Sequence, residues 1–284
     1  MDLSIGLEGH INVTVRRADG SIRVQRQAQN AINANLKNGV AGYLFSSTNP
    51  IEVNRMTITY TQGVFSPISA EITSGDKTAA QFQCIYTETF TCTSVDTGQT
   101  EAKIQTVKLE KAASPNVEYA SHTFSPEIDG IQASEEVTIA YTLRAGTATG
   151  VTDLLRESVA TAFDGSGTFR RVQYLWSNGL TGSNLAGVKA SPVMTDSSTS
   201  SGNQSLDTAT TTATCSGGVI VIRNNVSGGS NNATMTSADA TKAYLSNVSG
   251  TIPANDDAAL AFAEITNVKQ NDKIQGLIQP PPGL

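Results

Sequence analysis

Residues 27–45 read QAQNAINANLKNGVAGYLF. Ala28, Ile32, Leu36, Val40 and Leu44 recur at every fourth position, with Ala31 and Ala41 beside them and Asn, Gln and Lys opposite. An apolar stripe at that spacing predicts an amphipathic helix, because residues four apart share a helical face. Most of the remaining chain alternates instead. Leu7, Ile11, Val13 and Val15 fall on one side of a ribbon, and Glu8, His10, Asn12, Thr14 and Arg16 on the other. That is the period-two pattern of a half-buried strand. Asp19-Gly20 follows, a favoured hairpin dipeptide because both positions accept positive φ. Ile22 and Val24 mark the returning strand. The opening is therefore expected to be a hairpin that feeds a helix.

Alternation predicts further strands at 51–61, 80–94, 102–109, 119–124 and 137–143, with a turn-rich segment at 65–80 and a turn at 127–130. Residues 151–163, VTDLLRESVATAF, again carry an apolar stripe at helical spacing, with Thr152 or Asp153 placed to cap its start. Strands are expected after it at 168–176, 206–215, 218–224, 243–248 and 258–265, around a long polar loop at 177–203. The order of the second half repeats that of the first. TITYTQG answers QYLWSNG, FTCTS answers ATCSG, KIQTVKL answers VIVIRNN, and each pair follows its helix at a nearly constant offset. The expected fold is mainly β: two tandem β-sandwich-like domains, 1–145 and 146–284, each with one amphipathic helix and related by internal duplication. AGTATG at 145–150 is the small, flexible boundary. The hairpin at 7–26 has no counterpart; it either projects as an arm onto a neighbour's sheet edge or extends the first sandwich. Pro280, Pro281 and Pro282 in the tail cannot join a ladder and favour an extended chain.

Composition agrees with sheets. Only 15% of the 284 residues are charged, against 38% apolar, and Ser, Thr, Asn, Gln and Gly fill much of the remainder. Threonine suits a pleated surface, where helical proteins use Glu, Lys and Arg. A net charge of -6 without a long basic run argues against duplex nucleic acid as a partner. No run reaches the roughly 18 apolar residues of a membrane helix, and residues 1–20 lack the basic and apolar regions of a secretory signal. No membrane partner is expected. Of the three cysteines, Cys84 and Cys92 lie on one predicted strand, about 26 Å apart at 3.3 Å per residue. They are too distant to bridge, and an odd, unpaired set with Cys215 fits a reducing compartment.

Candidate chemistry is sparse. His10 and His122 are the only histidines, and neither accompanies a nucleophile motif. No GxSxG, HExxH, Walker or dinucleotide fingerprint occurs. Glu135-Glu136 and Asp256-Asp257 stand before the last strand of each half. Acidic pairs can ligate calcium, yet no DxDxDG-like loop surrounds these, and the expectation is that they keep a strand end solvated or blunt an edge. Trp176, the single tryptophan, is expected in a core, leaving no aromatic platform for sugars. Asn12, Asn203, Asn225, Asn232 and Asn247 begin N-x-S/T triplets, explained by composition alone. The chain is expected to be no enzyme, with no catalytic, cofactor-binding or metal-binding residues and no cofactor.

The opening GHINVTVRRADGSIRVQRQAQNAINANLKNGVAGYLF resembles the start of many small tailed-bacteriophage virion proteins, which begin with a strand, a DG turn, a second strand and an Ile/Leu helix. VTIAYTL at 137–143 is similar to a later strand in them. The resemblance covers about the first half of the chain and is one of pattern. It implies a virion structural protein, made in the bacterial cytoplasm and assembled without cleavage. Its partners would be capsid or tail subunits and further copies of itself as a homo-oligomer. An exterior capsid role, as decoration, cement or head fibre, is the first expectation. A tail, baseplate or fibre-adaptor component and a host-surface carbohydrate-binding module are the alternatives.

Overall fold

The computed structural model describes residues 2–3, 6–45, 51–147, 150–165, 172–177, 211–216, 219–224, 233–234, 240–247, 256–268, 273–274 and 277–278. Its elements are β1 (Asp2–Leu3), β2 (Leu7–Arg16), β3 (Ile22–Ile32), α1 (Ala34–Phe45), β4 (Arg55–Thr61), β5 (Gly63–Ser66), β6 (Ser69–Glu71), β7 (Lys77–Ala80), β8 (Gln83–Val95), β9 (Ala102–Lys111), β10 (Val117–Ile131) and β11 (Glu136–Ala145). Then follow α2 (Asp153–Asp164), β12 (Val172–Ser177), β13 (Thr211–Ser216), β14 (Val219–Asn224), β15 (Ala233–Thr234), β16 (Ala240–Asn247), β17 (Ala261–Val268), β18 (Lys273–Ile274) and β19 (Leu277–Ile278). The chain is mainly β, as its alternation implies.

Strands β2 to β11 form two antiparallel sheets, compatible with a β-sandwich. The first runs β5-β8-β11-β2-β3, with β7 also on β8, and the second runs β3-β10-β9-β4-β6. β3 belongs to both. Its residues up to Asn30 pair with β2, while Ala31 and Ile32 pair with Ser121 and Ala120 of β10. On the other side β4 lies in the second sheet and β5 in the first. Such corners are where a strand changes sheets. The chain turns there through Gln62, at φ 62, and Gly63. A Cβ on Gly63 would lie 2.4 Å from Ala102 Cβ and 2.9 Å from the Ser94 carbonyl, so the corner admits only glycine.

Alternation explains the core. Ile11, Val13 and Val15 of β2, Val137, Ile139, Tyr141 and Leu143 of β11, and Cys84, Tyr86, Phe90 and Cys92 of β8 are all buried on the inward face. Met56, Ile58, Ile104, Val107 and Leu109 face them from the second sheet. Where β3 and β10 diverge, two arginines bridge the seam. Arg23 Nη1 donates to the Gly130 carbonyl at 2.8 Å, and Arg26 Nη1 to that of Pro126 at 2.6 Å. Arg26 also sits over the Phe124 ring, 5.7 Å from its centroid.

Several expectations change. The helix expected at 27–45 begins only at Ala34, and 27–32 is strand. A spacing of four is an even number of strand residues as well as about one helical turn, so Ala28 and Ile32 satisfy both periods. Asn33 ends the ambiguity: its Oδ1 accepts from the backbone N–H of Asn35 and Leu36, at 3.1 and 3.3 Å, which caps α1. The expected turn at 127–130 lies inside β10, whose register shifts there and whose Gly130 has φ 77. The hairpin is no projecting arm. β2 sits in mid-sheet, paired with β11 from Leu7 to Arg16, because its Ile11-Val13-Val15 face needs covering. The tip is exposed and is closed by Asp19 accepting from Ser21 N–H at 2.9 Å and by Gly20 at φ 81.

Helix α2 packs on this sandwich, against β7, β8 and β11. Leu155, Val159, Ala162 and Phe163 join the same core cluster as the strands. The expected boundary at 145/146 thus falls between the last strand of the sandwich and a helix seated on it. α1 runs beside β10, α2, β13 and β14. The remaining described strands form a four-stranded sheet β1-β19-β14-β13, a three-stranded sheet β12-β16-β17 and the pair β15-β18.

Candidate functional site

The residues that sequence singled out are scattered over the sandwich. His10 is on the outer face of β2, half exposed, with Nε2 3.7 Å from Glu8 Oε2. His122 is on β10, where its ring meets Phe124 edge-on at 4.6 Å. Burial, then the Arg26 guanidinium, hold its imidazole below the usual value. Cys84 and Cys92 are free, buried thiols on β8. Burial pushes Cys84 up to about 11 and Cys92 in the same direction, so neither offers the thiolate that nucleophilic chemistry requires.

Glu135 was expected at a solvated strand end. It is buried instead: Oε2 accepts from the Gln132 N–H at 2.8 Å and Oε1 lies 3.5 Å from Arg23 Nη1. The carboxylate closes the turn into β11 and is consumed by it. Glu136 is exposed, and Asp257 is exposed in a single 3-10 turn, Asp256–Ala258. Among the described residues no three His, Cys, Asp or Glu side chains converge as metal ligands. No helix among them is long and apolar enough to cross a membrane. Trp176 lies on β12 and Cys215 on β13. Asn12 lies on β2 and Asn247 on β16, whereas Asn203, Asn225, Asn232 and the prolines at 280–282 fall outside the described residues.

One carboxylate stands out. Glu88 pairs with the buried Ile139 across β8 and β11, so it shares the inward face with Tyr86 and Phe90. Oε1 is buried and has no hydrogen-bond partner. Desolvation, then the charge of Asp76, raise its carboxyl to about 7. β5 and β7 flank this point on the same edge of β8, pairing 91–95 and 83–86, and leave Glu88 in the gap between them.

The outer face of the first sheet carries a concavity. Register places Ile85, Thr142, His10 and Gln29 in one row across β8, β11, β2 and β3, and Thr87, Ala140, Asn12 and Gln27 in the next. Ala140 has no atom beyond Cβ, so its place in the row is empty. A hollow of about 570 Å³ opens there, walled by His10, Asn12, Gln27, Gln29 and Thr142. Asn12 Oδ1 is buried and has no hydrogen-bond partner. The third row, Thr89, Thr138, Thr14 and Gln25, has no such gap, and its Thr89 and Thr138 hydroxyls meet at 3.3 Å.

Comparison with known proteins finds no matching family model and no matching curated relative. The hollow is not legible in the sequence, because the spacing of four across 27–32 also fits a helix, on which Gln27 and Gln29 would share no row with His10 and Asn12. Read at period two, Gln25, Gln27 and Gln29 form one row of amides beside His10, Asn12 and Thr14.

Proposed function

We propose that this chain is a structural component of a bacteriophage particle, an exterior capsid-associated protein of the decoration, cement or head-fibre kind, acting through protein–protein interfaces. The observation that carries this reading is the character of the two outer sheet faces. They are broad and rich in threonine, and hydroxyls cross-link them from strand to strand; the first is mostly uncharged, whereas the second also carries Arg55, Lys103, Glu110 and the ion pair of Lys108 with Glu118 at 2.8 Å. Thr59, Thr106 and Thr123 make one row across β4, β9 and β10, with Thr106 and Thr123 oxygens 3.2 Å apart. Thr57 meets Ser69 at 3.1 Å on the edge of the same sheet. The first face can pack against repeated neighbours without desolvating many charges, and buried apolar area at about 25 cal/mol per Å² then supplies the adhesion. The resemblance of the opening hairpin and helix to phage virion proteins supports the same class.

The same reading includes an internal duplication, each half a helix-bearing β-sandwich. Its support is the repeated order of helix and strands on either side of residue 150. α2 lies on the first half's sheet, and α1 runs beside β13 and β14 of the second, so duplicated halves would have exchanged helices.

The test is cryo-electron microscopy of purified particles together with light scattering of the lone chain. Density for the chain on the outer capsid, and rings or trimers in solution, are the expected outcomes. Density in the tail or baseplate would move the protein to the fibre-adaptor class. A monomer that never enters a particle would overturn the proposal.

A further inference from the structure

The hollow over Ala140 is unexplained by a purely adhesive role. We propose that it is a binding site for a neutral saccharide, a ring of hydroxyls gripped by Asn12, Gln27, Gln29 and His10. This inference is independent of the virion reading and adds a ligand to it.

Four observations select this ligand. The walls carry side-chain amides, an imidazole and a hydroxyl, and the lining includes no Lys, Arg, Asp or Glu. An amide both donates and accepts, as a sugar hydroxyl does, whereas a phosphate needs cationic donors and a metal ion needs carboxylates. Asn12 Oδ1 is a buried acceptor that no protein donor reaches. A polar atom left so is costly, and a turn of the Asn12 amide that brings Oδ1 into the hollow lets a ligand O–H satisfy it. Ala140 and Ile85 give the floor and one wall aliphatic carbon, against which the C–H face of a pyranose can rest. The volume, about 570 Å³, lies within the roughly 300–1,000 Å³ of small-molecule sites.

Position strengthens the case. The walls rise from β11, β2 and β3, and β2 is hydrogen-bonded along both edges. The mid-sheet backbone fixes where these side chains start, while the exposed Gln27 and Gln29 are ordered by the ligand. Glu8 Oε2 lies 3.7 Å from His10 Nε2 and is not part of the hollow's lining.

The experiment is an NMR titration of the isotopically labelled full chain with glucose, galactose and N-acetylglucosamine, and with glucose 6-phosphate as the anionic control. The expected result is a millimolar interaction with at least one neutral sugar, with amide shifts confined to residues 10–12, 27–29 and 140–142. Ala140→Phe, which fills the hollow from the solvent side, abolishes those shifts. Gln27→Ala and Gln29→Ala alter exposed positions that the core does not use, and each weakens binding about twofold to tenfold at unchanged melting temperature. The two glutamine variants decide the matter even if Ala140→Phe does not fold. Absence of shifts in those segments with every neutral sugar overturns the proposal. So does an equal response to glucose 6-phosphate, or undiminished binding by the Gln27→Ala, Gln29→Ala double variant.

Discussion

The two helices are both twelve residues long and are held in different ways. α1 is started by a local device, the Asn33 side chain on the N–H groups of Asn35 and Leu36. The same residue ties the helix to β10, because Asn33 N–H donates to the Tyr119 carbonyl at 3.2 Å. α2 lacks a side-chain cap. The Thr152 hydroxyl, placed at its N-cap, donates instead to the carbonyls of Ala259 and Leu260, at 2.6 and 2.8 Å. α2 is stabilised from below. Leu155, Val159, Ala162 and Phe163 are buried on the sheet, and the Tyr86 hydroxyl donates to the Phe163 carbonyl at 2.6 Å. Arg156, buried, lies 3.7 Å from the centroid of the Phe82 ring and donates to the Ala145 carbonyl at 3.3 Å. A twelve-residue helix is marginal by itself, so either a cap or a floor must hold it. α2 relies on the floor, whereas α1 has the cap in addition to its buried Leu36 and Val40.

The largest expected effect strikes the floor. Phe163→Ala should lower unfolding free energy by about 3–5 kcal/mol in urea titrations, since the ring is wholly buried. Leu36→Ala, the equivalent truncation in α1, should cost about 2–5 kcal/mol. If α1 proves the more sensitive, the contrast between the helices is wrong. Next comes Arg156→Leu, which removes the stacking on Phe82 and leaves the Ala145 carbonyl unpartnered, for about 2 kcal/mol. Its ion-pair partner Asp153 is 70% exposed and remains solvated, so no buried charge is left behind. Asn33→Ala should cost about 1 kcal/mol and speed amide exchange in the first turn of α1, with α2 unaffected.

The smallest effect sets a satisfied charge under α2 against an unsatisfied one on the strand it covers. The Arg156 guanidinium has partners, whereas Glu88 Oε1 has none. With its folded value raised from 4.5 to about 7, Glu88 binds a proton more readily in the folded chain than in the unfolded one. Stability from this group is therefore greatest at low pH and falls as pH rises from about 4.5 to 7. Glu88→Gln should flatten that part of the melting-temperature profile and raise stability at pH 8 by about 1 kcal/mol or less, after allowance for solvent screening. An unchanged profile would show that the carboxylate is fully hydrated.

The hairpin at 7–26, the long strands β8, β9 and β11, and the inward sets Ile11-Val13-Val15 and Val137-Ile139-Tyr141 were legible because alternation is a property of neighbours along the chain. The start of α1 was not, because a spacing of four satisfies both strand and helix. Nor was the fate of Glu135, since burial of a carboxylate depends on Arg23, which lies far away in sequence. The proposed saccharide hollow was invisible for a similar reason. It depends on one alanine set between side chains of three other strands, which no run of neighbouring residues encodes.

Sequence by itself determined a mainly β chain, which faces of its strands would turn inward, and where two short helices would form, because period and turn chemistry act over a few residues. Tertiary structure alone decided that β3 serves two sheets, that α2 is seated on the strands before it, and that Ala140 leaves a gap. Each of these depends on which distant segments pair, and pairing follows from the cooperative burial of whole faces, which no local pattern contains.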